Sequence, residues 1–244
     1  MAVVEGRNPV IECIKSGKHI DKIMVSNSAK EGSIKKIIAM AKENKIVIQY
    51  VDRHKLDEMA QSHSHQGVIA CIGDYKYYDI EEIVANVKAK GEEPFIIILD
   101  EITDPHNLGS IIRTADAVGA HAVVIPKRRS VDITPVVAKA SAGAVEYVPV
   151  CKVTNIVNTI KMLKDEGLWI AAADMDGETF YRQNLTGPIG VVIGSEGFGI
   201  SRLVKQNCDF VVSMPMIGNV TSLNASVAGG ILLYEVFRQR LSGK

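Results

Sequence analysis

The chain has 244 residues, of which 47% are hydrophobic and 23% are charged. This composition is typical of a globular protein and excludes a disordered or collagen-like chain. The 28 basic and 28 acidic residues balance, so net charge does not indicate a broad electrostatic attraction to nucleic acid. Any RNA binding must therefore rely on local patches and on a shaped site.

The cysteines and the apolar runs indicate the cellular compartment. Cys13, Cys71, Cys151 and Cys208 are scattered and form no C-x-x-C pair, so neither a zinc site nor a redox dithiol is expected. The N-terminus lacks the basic and apolar pattern of a signal peptide, and no apolar run approaches about 18 residues. The sequence predicts a cytoplasmic protein with reduced thiols, without a membrane span or a metal.

The N-terminal third predicts a small α/β unit. A helix begins near Asn8-Pro9, because proline is tolerated in the first turn of a helix. The further predicted elements are a strand at 22–26, a helix at 33–44, a strand at 46–51, a helix at 53–61 and a strand at 67–73.

A change in composition predicts the domain organisation. Residues 74–94 are rich in charge and end in a Lys-Gly-Glu-Glu-Pro loop, with a short helix predicted at 80–89. We therefore expect a first domain at 1–74, a linker at 75–94 and a second domain at 95–244.

From residue 95 onward, short apolar runs alternate with helical patterns. The predicted strands are 95–100, 121–126, 145–150, 168–174, 189–194 and 210–215. The predicted helices lie near 107–118, 130–142, 153–166 and 222–241. Apolar strands that alternate with helices predict a parallel sheet covered on both faces. Ligands of such sheets bind beyond the carboxyl ends of the strands, so a ligand site is expected at the loops after Leu99, Ile193 and Met214.

The segment after the first of these strands, residues 104–116, reads DPHNLGSIIRTAD. Asn107 is placed to cap a helix, and Arg113 lies about two turns inside that helix among small and apolar residues. From this segment alone, Arg113 either forms a salt bridge in solvent or points into a site.

The second segment, residues 194–201, places Gly194, Gly197 and Gly199 around Glu196. Glycines let a backbone approach a ligand closely and adopt positive φ. The spacing is not that of the G-x-G-x-x-G fingerprint or of a P-loop, which disfavours a dinucleotide-binding dehydrogenase. A tight turn with a solvent-exposed glutamate remains the structural alternative.

The third segment, residues 214–228, reads MPMIGNVTSLNASVA and joins a strand to the last helix. Ser222 and Asn224 are natural capping residues, and capping alone could explain them. The helix that follows contains Gly229-Gly230, which predicts close packing on the sheet or on a second subunit.

Together the three segments resemble the motifs of the SpoU/TrmH family of RNA ribose 2′-O-methyltransferases. The motifs are N-x-G-x-x-x-R at 107–113, G-S-E-G-x-G at 194–199 and M-P-M-x-G-x-x-x-S-L-N-x-S-x-A at 214–228, in the family's order and with similar spacing. In addition, GRNPVIECI at 6–14 and HSHQGVIA at 63–70 resemble the RNA-binding domain of the subgroup that modifies guanosine in 23S ribosomal RNA. The resemblance covers nearly the whole chain.

This resemblance implies a fold, a cofactor and partners. The fold would be an α/β parallel sheet with a C-terminal trefoil knot, preceded by a small α/β RNA-binding domain. The cofactor would be S-adenosylmethionine bent within the knot, and the protein would act on 23S ribosomal RNA as a homodimer with the active site near the subunit interface.

The resemblance also implies roles for individual residues. It implies cofactor contacts at Gly194, Met214 and Leu223, and a catalytic group of Asn107, Arg113, Glu196, Ser222 and Asn224. Since arginine side chains stay protonated in proteins, we expect Arg113 to orient a phosphate and stabilise a developing alkoxide rather than to act as the base. The candidate phosphate contacts are Lys35, Lys36, Arg53, Lys55, Lys127, Arg128 and Arg129.

Two other functions remain open at this stage. Transfer RNA guanosine methyltransferases and antibiotic-resistance methyltransferases share the three motifs, so the RNA substrate is not fixed by them. A non-catalytic RNA-binding or ribosome-assembly protein on the same fold is the other alternative, although the intact catalytic set argues against it.

Overall fold

The structure, a computed structural model, describes residues 2–16, 20–29, 32–60, 64–73, 75–219 and 222–242. A few residues named above lie outside these ranges: Gln61, His63, Asp74, Val220 and Thr221. The chain divides into two compact units, Met1–Lys76 and Tyr77–Lys244. Within the described ranges, no helix is both long and apolar enough to cross a bilayer.

The first unit is a four-stranded mixed sheet with helices on both faces. Its elements are β1 Ala2–Glu5, α1 Arg7–Lys15, β2 Ile20–Ser26, α2 Ser33–Glu43, β3 Val47–Val51, α3 Arg53–Met59 and β4 Val68–Ile72. The strand order is β1-β4-β2-β3, and only the β2–β3 pair is parallel. The sequence pattern does not predict β1, whose four residues are placed by pairing with β4.

Successive side chains of a strand point to opposite faces of the sheet, so this unit has a separate apolar core on each face. Ile23 and Val25 face α1 and α2 on one side of the sheet, whereas Met24 between them packs with Leu56 of α3 on the other. Because both faces are covered, β4 reads as a continuous apolar run and β2 contains the apolar run Ile23–Val25, which explains why they were predictable.

The second unit is a six-stranded sheet in which every pair of neighbours is parallel. Its strands are β5 Phe95–Asp100, β6 Ala122–Pro126, β7 Val150–Val153, β8 Trp169–Thr179, β9 Ile189–Gly194 and β10 Phe210–Ser213. Its helices are α4 Ile80–Ala89, α5 Pro105–Ala117, α6 Pro135–Ala140, α7 Ile156–Asp165, α8 Arg202–Asn207 and α9 Ala225–Ser242. The strand order is β10-β8-β9-β5-β6-β7, which confirms the predicted parallel α/β sheet.

The segment between the predicted domains contains α4, which has the predicted bounds. Ile80 and Val84 of α4 are buried in the core of the second unit, together with Ile98 of β5. Residues 80–89, which the sequence assigned to a linker, therefore belong structurally to the second unit.

The predicted strand at 145–150 is wrong. The chain instead forms a 3₁₀ turn at Ala144–Glu146, and β7 begins at Val150. Val145 and Val148 are both buried, and their spacing of three is helical rather than extended. The two valines are therefore buried without forming a strand. Pro149 has no N–H to donate to a strand ladder, so the strand begins only after it.

Two helices also differ from their predictions. The helix predicted at 130–142 is limited to α6, because Pro135 disfavours helical backbone at the residue before it and Thr134 caps the helix by accepting from the Val137 N–H at 3.3 Å. α8 has six residues and carries too little periodicity to be predicted.

Candidate active site

The three motif segments meet at one edge of the second sheet. β5, β9 and β10 belong to one all-parallel sheet, so their carboxyl ends lie at the same edge. Asp100, the last residue of β5, pairs with Gly194, the last residue of β9. The segments that follow these strands are therefore neighbours despite being about 90 and 20 positions apart in the sequence.

Glu196 joins the three segments through hydrogen bonds. Its Oε1 accepts from Asn107 Nδ2 at 2.8 Å and from the Ala225 N–H at 3.3 Å, and it also accepts from Asn224 Nδ2. The same Asn224 amide donates to Asn107 Oδ1 at 3.0 Å. This Asn107–Glu196–Asn224 network holds one residue from each motif in a fixed arrangement.

The capping expectations have different outcomes. Asp104 caps α5 by accepting from the His106 N–H at 2.9 Å, so the prediction that Asn107 is the cap is wrong. Asn107 lies one turn inside the helix, where its buried side chain is free to bond Glu196. Asn224 does cap α9, because its Oδ1 accepts from the Ser226 and Val227 N–H groups at 3.0 and 3.2 Å.

Gly194 is required by a close approach of two backbone segments. A Cβ at this position would lie 2.1 Å from the carbonyl carbon of Gly199 and 2.4 Å from the nitrogen of Ile200. Nearby, the Ser201 N–H donates to the buried Asp100 carboxylate at 2.7 Å. The segment 199–201 is thus held tightly across the ends of β5 and β9.

A cavity of about 290 Å³ opens at this edge of the sheet. The predicted site residues that line it are Gly194, Glu196, Met214, Ser222 and Leu223. Asn107 and Asn224 lie beside it, since both are bonded to Glu196. Its apolar lining includes Ile193, Val212 and Leu223, and the Gly194–Gly199 segment contributes exposed backbone.

Arg113 is the predicted site residue that the chain does not bring to the cavity. Its side chain is exposed on α5 and is absent from the cavity lining. Among the described residues, no hydrogen bond or ion pair reaches it. The Arg113 side chain therefore does not line the cavity of its own chain.

Sequence reasoning missed a charged residue at the cavity and the lysine that pairs with it. Asp174 lines the cavity on β8, two residues beyond the last β8–β9 pair, and Lys205 Nζ lies 3.1 Å from the carboxylates of both Asp174 and Asp176. Burial lowers the pKa of Lys205, but the hydrogen bonds to the two carboxylates outweigh burial and raise that pKa. The available signal was an acidic residue at the end of an apolar strand, 168–174, whose loop was not examined.

The candidate phosphate contacts are exposed, as a surface role requires. Two of them are paired within the chain: Lys55 with Glu58 and Arg129 with Glu101, both at 3.0 Å. Exposed pairs of this kind are worth little energetically, so they do not exclude other partners for these two side chains. The structure places Lys35, Lys36, Arg53 and Lys55 in the first unit and Lys127, Arg128 and Arg129 in the second.

The fold and the cavity define a class: open α/β proteins that bind a ligand at the carboxyl edge of a parallel sheet. The model described as the SpoU rRNA methylase family matches residues 94–234. The model described as RNA 2′-O ribose methyltransferase substrate binding matches residues 3–78. The chain is 49% identical, over 97% of its length and 95% of the other chain, to a Bacillus subtilis (strain 168) protein described as a TrmH family tRNA/rRNA methyltransferase. The chain therefore belongs to the SpoU methylase family, as the motifs predicted.

Solved structures show the same fold. AviRb, a SpoU methyltransferase from Streptomyces viridochromogenes in complex with AdoMet, aligns with a TM-score of 0.67 and 24% identity over 99% of this chain and 91% of that one. An AdoMet-bound rRNA methyltransferase from Sinorhizobium meliloti aligns with a TM-score of 0.66 and 22% identity over 97% and 86%. An A. aeolicus TrmH/SpoU tRNA modifying enzyme aligns with a TM-score of 0.56 and 29% identity over 67% and 85%. The expected cofactor is thus the ligand that two structures of this fold hold.

Proposed function

We propose that this protein transfers a methyl group from S-adenosylmethionine to a ribose 2′-hydroxyl of RNA, with a guanosine of 23S ribosomal RNA as its target. The observation that carries the proposal is the cavity at the sheet edge with the Asn107–Glu196–Asn224 network beside it. The enzyme acts in the reducing cytoplasm, in keeping with its four free thiols.

The length of the matches supports ribosomal RNA over transfer RNA. The S. meliloti rRNA methyltransferase aligns with 97% of this chain, whereas the A. aeolicus tRNA modifying enzyme aligns with 67%. The model described as substrate binding matches residues 3–78, which correspond closely to the first unit. We therefore assign the choice of RNA to the first unit.

The residues around the cavity fit the methyl donor. A volume of about 290 Å³ is near the lower end of ligand pockets, which is about 300 Å³. Ile193, Val212 and Leu223 offer an apolar surface for an adenine, and Asp174 offers a carboxylate for the donor's positive charges. Gly194 and Met214 would hold the donor through the neighbouring backbone. When bound, the donor supplies an electrophilic methyl group on a positively charged sulfur.

We further propose that the second unit contains a trefoil knot. The supporting observation is the bond from the Ser201 N–H to Asp100 at 2.7 Å, which brings a segment after β9 against the end of β5.

We propose that the working enzyme is a homodimer in which Arg113 serves the partner's cavity. Arg113 is exposed on α5 and does not line the cavity of its own chain. α5 packs beside α9, whose outer face carries Val227, Ile231 and Tyr234, between 41% and 52% exposed, at the spacing of one helix face. Such an apolar stripe is typical of a subunit interface.

The two glycines of α9 support this arrangement. Gly229 packs against Ile193 of β9, where a Cβ would lie 2.8 Å from Ile193 Cδ1, so the predicted close packing on the sheet is confirmed for this residue. A Cβ on Gly230 would meet no described atom within 4 Å. Gly230 is therefore open to a neighbouring subunit.

In the proposed reaction, the chain's own groups prepare the acceptor. A ribose hydroxyl is a weak nucleophile until it loses proton density. Arg113 orients the nucleotide phosphate and stabilises the charge that develops on the 2′-oxygen, while water or a substrate group accepts the proton. Glu196 and the two asparagines hold the loops around the ribose, and the apolar lining keeps water from the donor.

The activity is tested by incubating the purified protein with tritiated S-adenosylmethionine and unmodified 23S ribosomal RNA or transfer RNA. We expect label in the ribosomal RNA at a guanosine 2′-O position, identified by mapping methylated nucleotides. Label in transfer RNA alone would replace the substrate assignment, and label in neither RNA would refute the enzyme activity.

The role of Arg113 is tested by Arg113→Ala. We expect methyl transfer to fall by about 10²–10³-fold, the effect of removing one transition-state donor, while donor affinity measured by calorimetry stays unchanged. Arg182→Ala, at another exposed arginine away from the cavity lining, is the matched control and should retain full activity. A wild-type rate for Arg113→Ala would contradict the assignment.

Mixed dimers test whether Arg113 acts across the interface. Leu223→Glu should abolish donor binding by placing a charge in the apolar cavity, so neither it nor Arg113→Ala is active alone. A heterodimer of the two variants contains one intact cavity facing one intact Arg113 only if the arginine acts in the partner. Recovery of activity in tagged, co-purified heterodimers is expected, and no recovery would place Arg113 in its own chain's site.

A further inference from the structure

Phe198 stands out because its side chain is 93% exposed and yet borders the cavity. Burying a phenylalanine stabilises a protein, and this side chain forgoes that contribution. Single exposed apolar residues are common on protein surfaces, so exposure alone indicates nothing. The position of this one, at the mouth of the site, is what requires a reason.

The loop that carries Phe198 is rigid. Ser195 and Gly199 exchange two backbone hydrogen bonds, each 3.0 Å, which close residues 195–199 into a tight turn. Gly197 and Gly199 on either side of the ring adopt φ of +88° and +66°, which other residues rarely adopt. The ring is therefore held outward by the backbone.

The same loop is anchored at the site by Glu196. Glu196 lies two residues before the ring and accepts hydrogen bonds from Asn107 and from Asn224. The backbone that carries the ring thus has a fixed position relative to the groups that we assign to the ribose pocket. A planar, apolar surface next to a ribose pocket is suited to the base of the same or a neighbouring nucleotide.

Two further side chains extend the apolar surface at the mouth. Met175 from β8 and Met216 from the segment after β10 are 65% and 39% exposed, and both line the cavity with Phe198. One strand and two loops thus each place one apolar side chain at the opening. Because the ring keeps 93% of its surface exposed, it belongs to the mouth of the cavity and not to the enclosed part that would hold the donor.

We propose that Phe198 is the platform on which a base of the RNA substrate stacks while its ribose is methylated. This inference rests on the proposed function, and it adds a residue that selects for an unpaired nucleotide. Proteins that recognise single-stranded RNA stack exposed bases on aromatic side chains, and such stacking tolerates any base because every base has a π-face.

Three variants of the full-length protein separate stacking from other roles. Phe198→Ala removes the ring, Phe198→Leu keeps apolar bulk without a π-face, and Phe198→Trp keeps a π-face. Tyr147→Ala is the matched control, because Tyr147 is 78% exposed in the same unit and does not line the cavity. For each protein we would measure KM and kcat with tritiated S-adenosylmethionine on in vitro transcribed 23S ribosomal RNA and on unmodified transfer RNA.

We expect Phe198→Ala and Phe198→Leu to raise the KM for RNA by about five- to 150-fold, the range for loss of one stacked base, with kcat changed little. Phe198→Trp should stay within about twofold of the wild type, as should Tyr147→Ala. Calorimetry should give the same donor affinity for all variants, and light scattering the same oligomeric state.

Several results would overturn the inference. A wild-type KM in Phe198→Leu would mean that Phe198 contributes apolar packing without stacking. A lower donor affinity in Phe198→Ala would mean that the ring covers the donor. Dissociation of the oligomer in Phe198→Ala would mean that the ring forms a subunit contact. An unchanged KM in Phe198→Ala, with an active wild type, would refute stacking and leave the proposed function intact. A wild type that methylates neither RNA would refute the proposed function and this inference with it.

Discussion

The two units are built from similar strands and helices but use their motif residues differently. In the first unit, Arg7 Nε donates to the carbonyl of Gln66 at 3.2 Å and the Arg7 N–H donates to the Gln66 side chain, so two motifs fasten one loop to the start of α1. The buried His65 bonds Asp57 at 2.8 Å and accepts from the Gly67 N–H at 3.1 Å. These groups satisfy one another and support the backbone.

In the second unit, the motif residues surround a space. Asn107, Glu196 and Asn224 bond one another at the rim of a 290 Å³ cavity that Gly194, Met214 and Leu223 line. A motif is therefore not evidence of chemistry by itself. The comparison teaches that polar motif residues support the fold in one unit and border a cavity in the other.

The sharpest way to test this division is to remove residues 1–76. The remaining unit keeps every residue of the cavity lining, so we expect donor affinity within about twofold of the full chain. Methylation of 23S ribosomal RNA should fall by about 10²–10⁴-fold in kcat/KM, because the gain from linking a second RNA-binding module is lost. Circular dichroism and calorimetry control for folding. Full activity in the shortened chain would contradict the assignment of RNA recognition to the first unit.

A pair of core substitutions tests whether the two units unfold independently of each other. Ile69→Ala in β4 and Ile98→Ala in β5 each empty a fully buried position, and each should cost about 2–5 kcal/mol. The single tryptophan, Trp169, lies in the second unit, so its fluorescence in urea reports on that unit.

We expect Ile98→Ala to shift the Trp169 transition to lower urea and Ile69→Ala to leave it in place while changing the transition followed by circular dichroism. Val47→Ala, at a position on β3 that is 62% exposed, is the surface control and should change stability by less than about 0.5 kcal/mol. Equal shifts of the tryptophan signal by both core variants would show that the units unfold together.

The smallest expected effect concerns the cysteines. Burial, with a smaller contribution from a nearby aspartate, raises the pKa of Cys151 and of Cys208 to about 12. Burial also raises the pKa of Cys71 in the first unit. Since the thiolate is the reactive form, a disulfide reagent at pH 8 should modify these thiols far more slowly in the native protein than in urea.

The direction of the accompanying pH dependence follows from the raised pKa. The folded protein binds protons that the unfolded chain releases above about pH 9, so this contribution to stability is full below pH 9 and is lost as the pH rises toward 12. Mass spectrometry of each thiol gives the order of modification. Cys71 reacting before Cys151 and Cys208 would indicate that the first unit opens more readily, and native rates equal to those in urea would contradict the burial.

Local patterns in the sequence determined most of the elements and the family. Continuous apolar runs such as Phe95–Asp100 predict buried parallel strands, because both faces of such a sheet are covered. The helix at 80–89 was also predictable, since Asp79 caps it and Ile80, Val84 and Val87 lie on one face. The motifs identified the family because their order and spacing are specific.

Only the tertiary structure decided which polar residues meet. Asn107 has the sequence features of a helix cap, but Asp104 takes that role and leaves Asn107 to bond Glu196, 89 positions away. The segment predicted as a strand at 145–150 begins as a 3₁₀ turn, because tertiary packing overrides the β propensity of its residues. Asp174 and Phe198 line the cavity and Arg113 does not, because burial and distance depend on how distant segments pack. Residue types and spacing fix local conformation, whereas the shape of a site arises from contacts that span the whole chain.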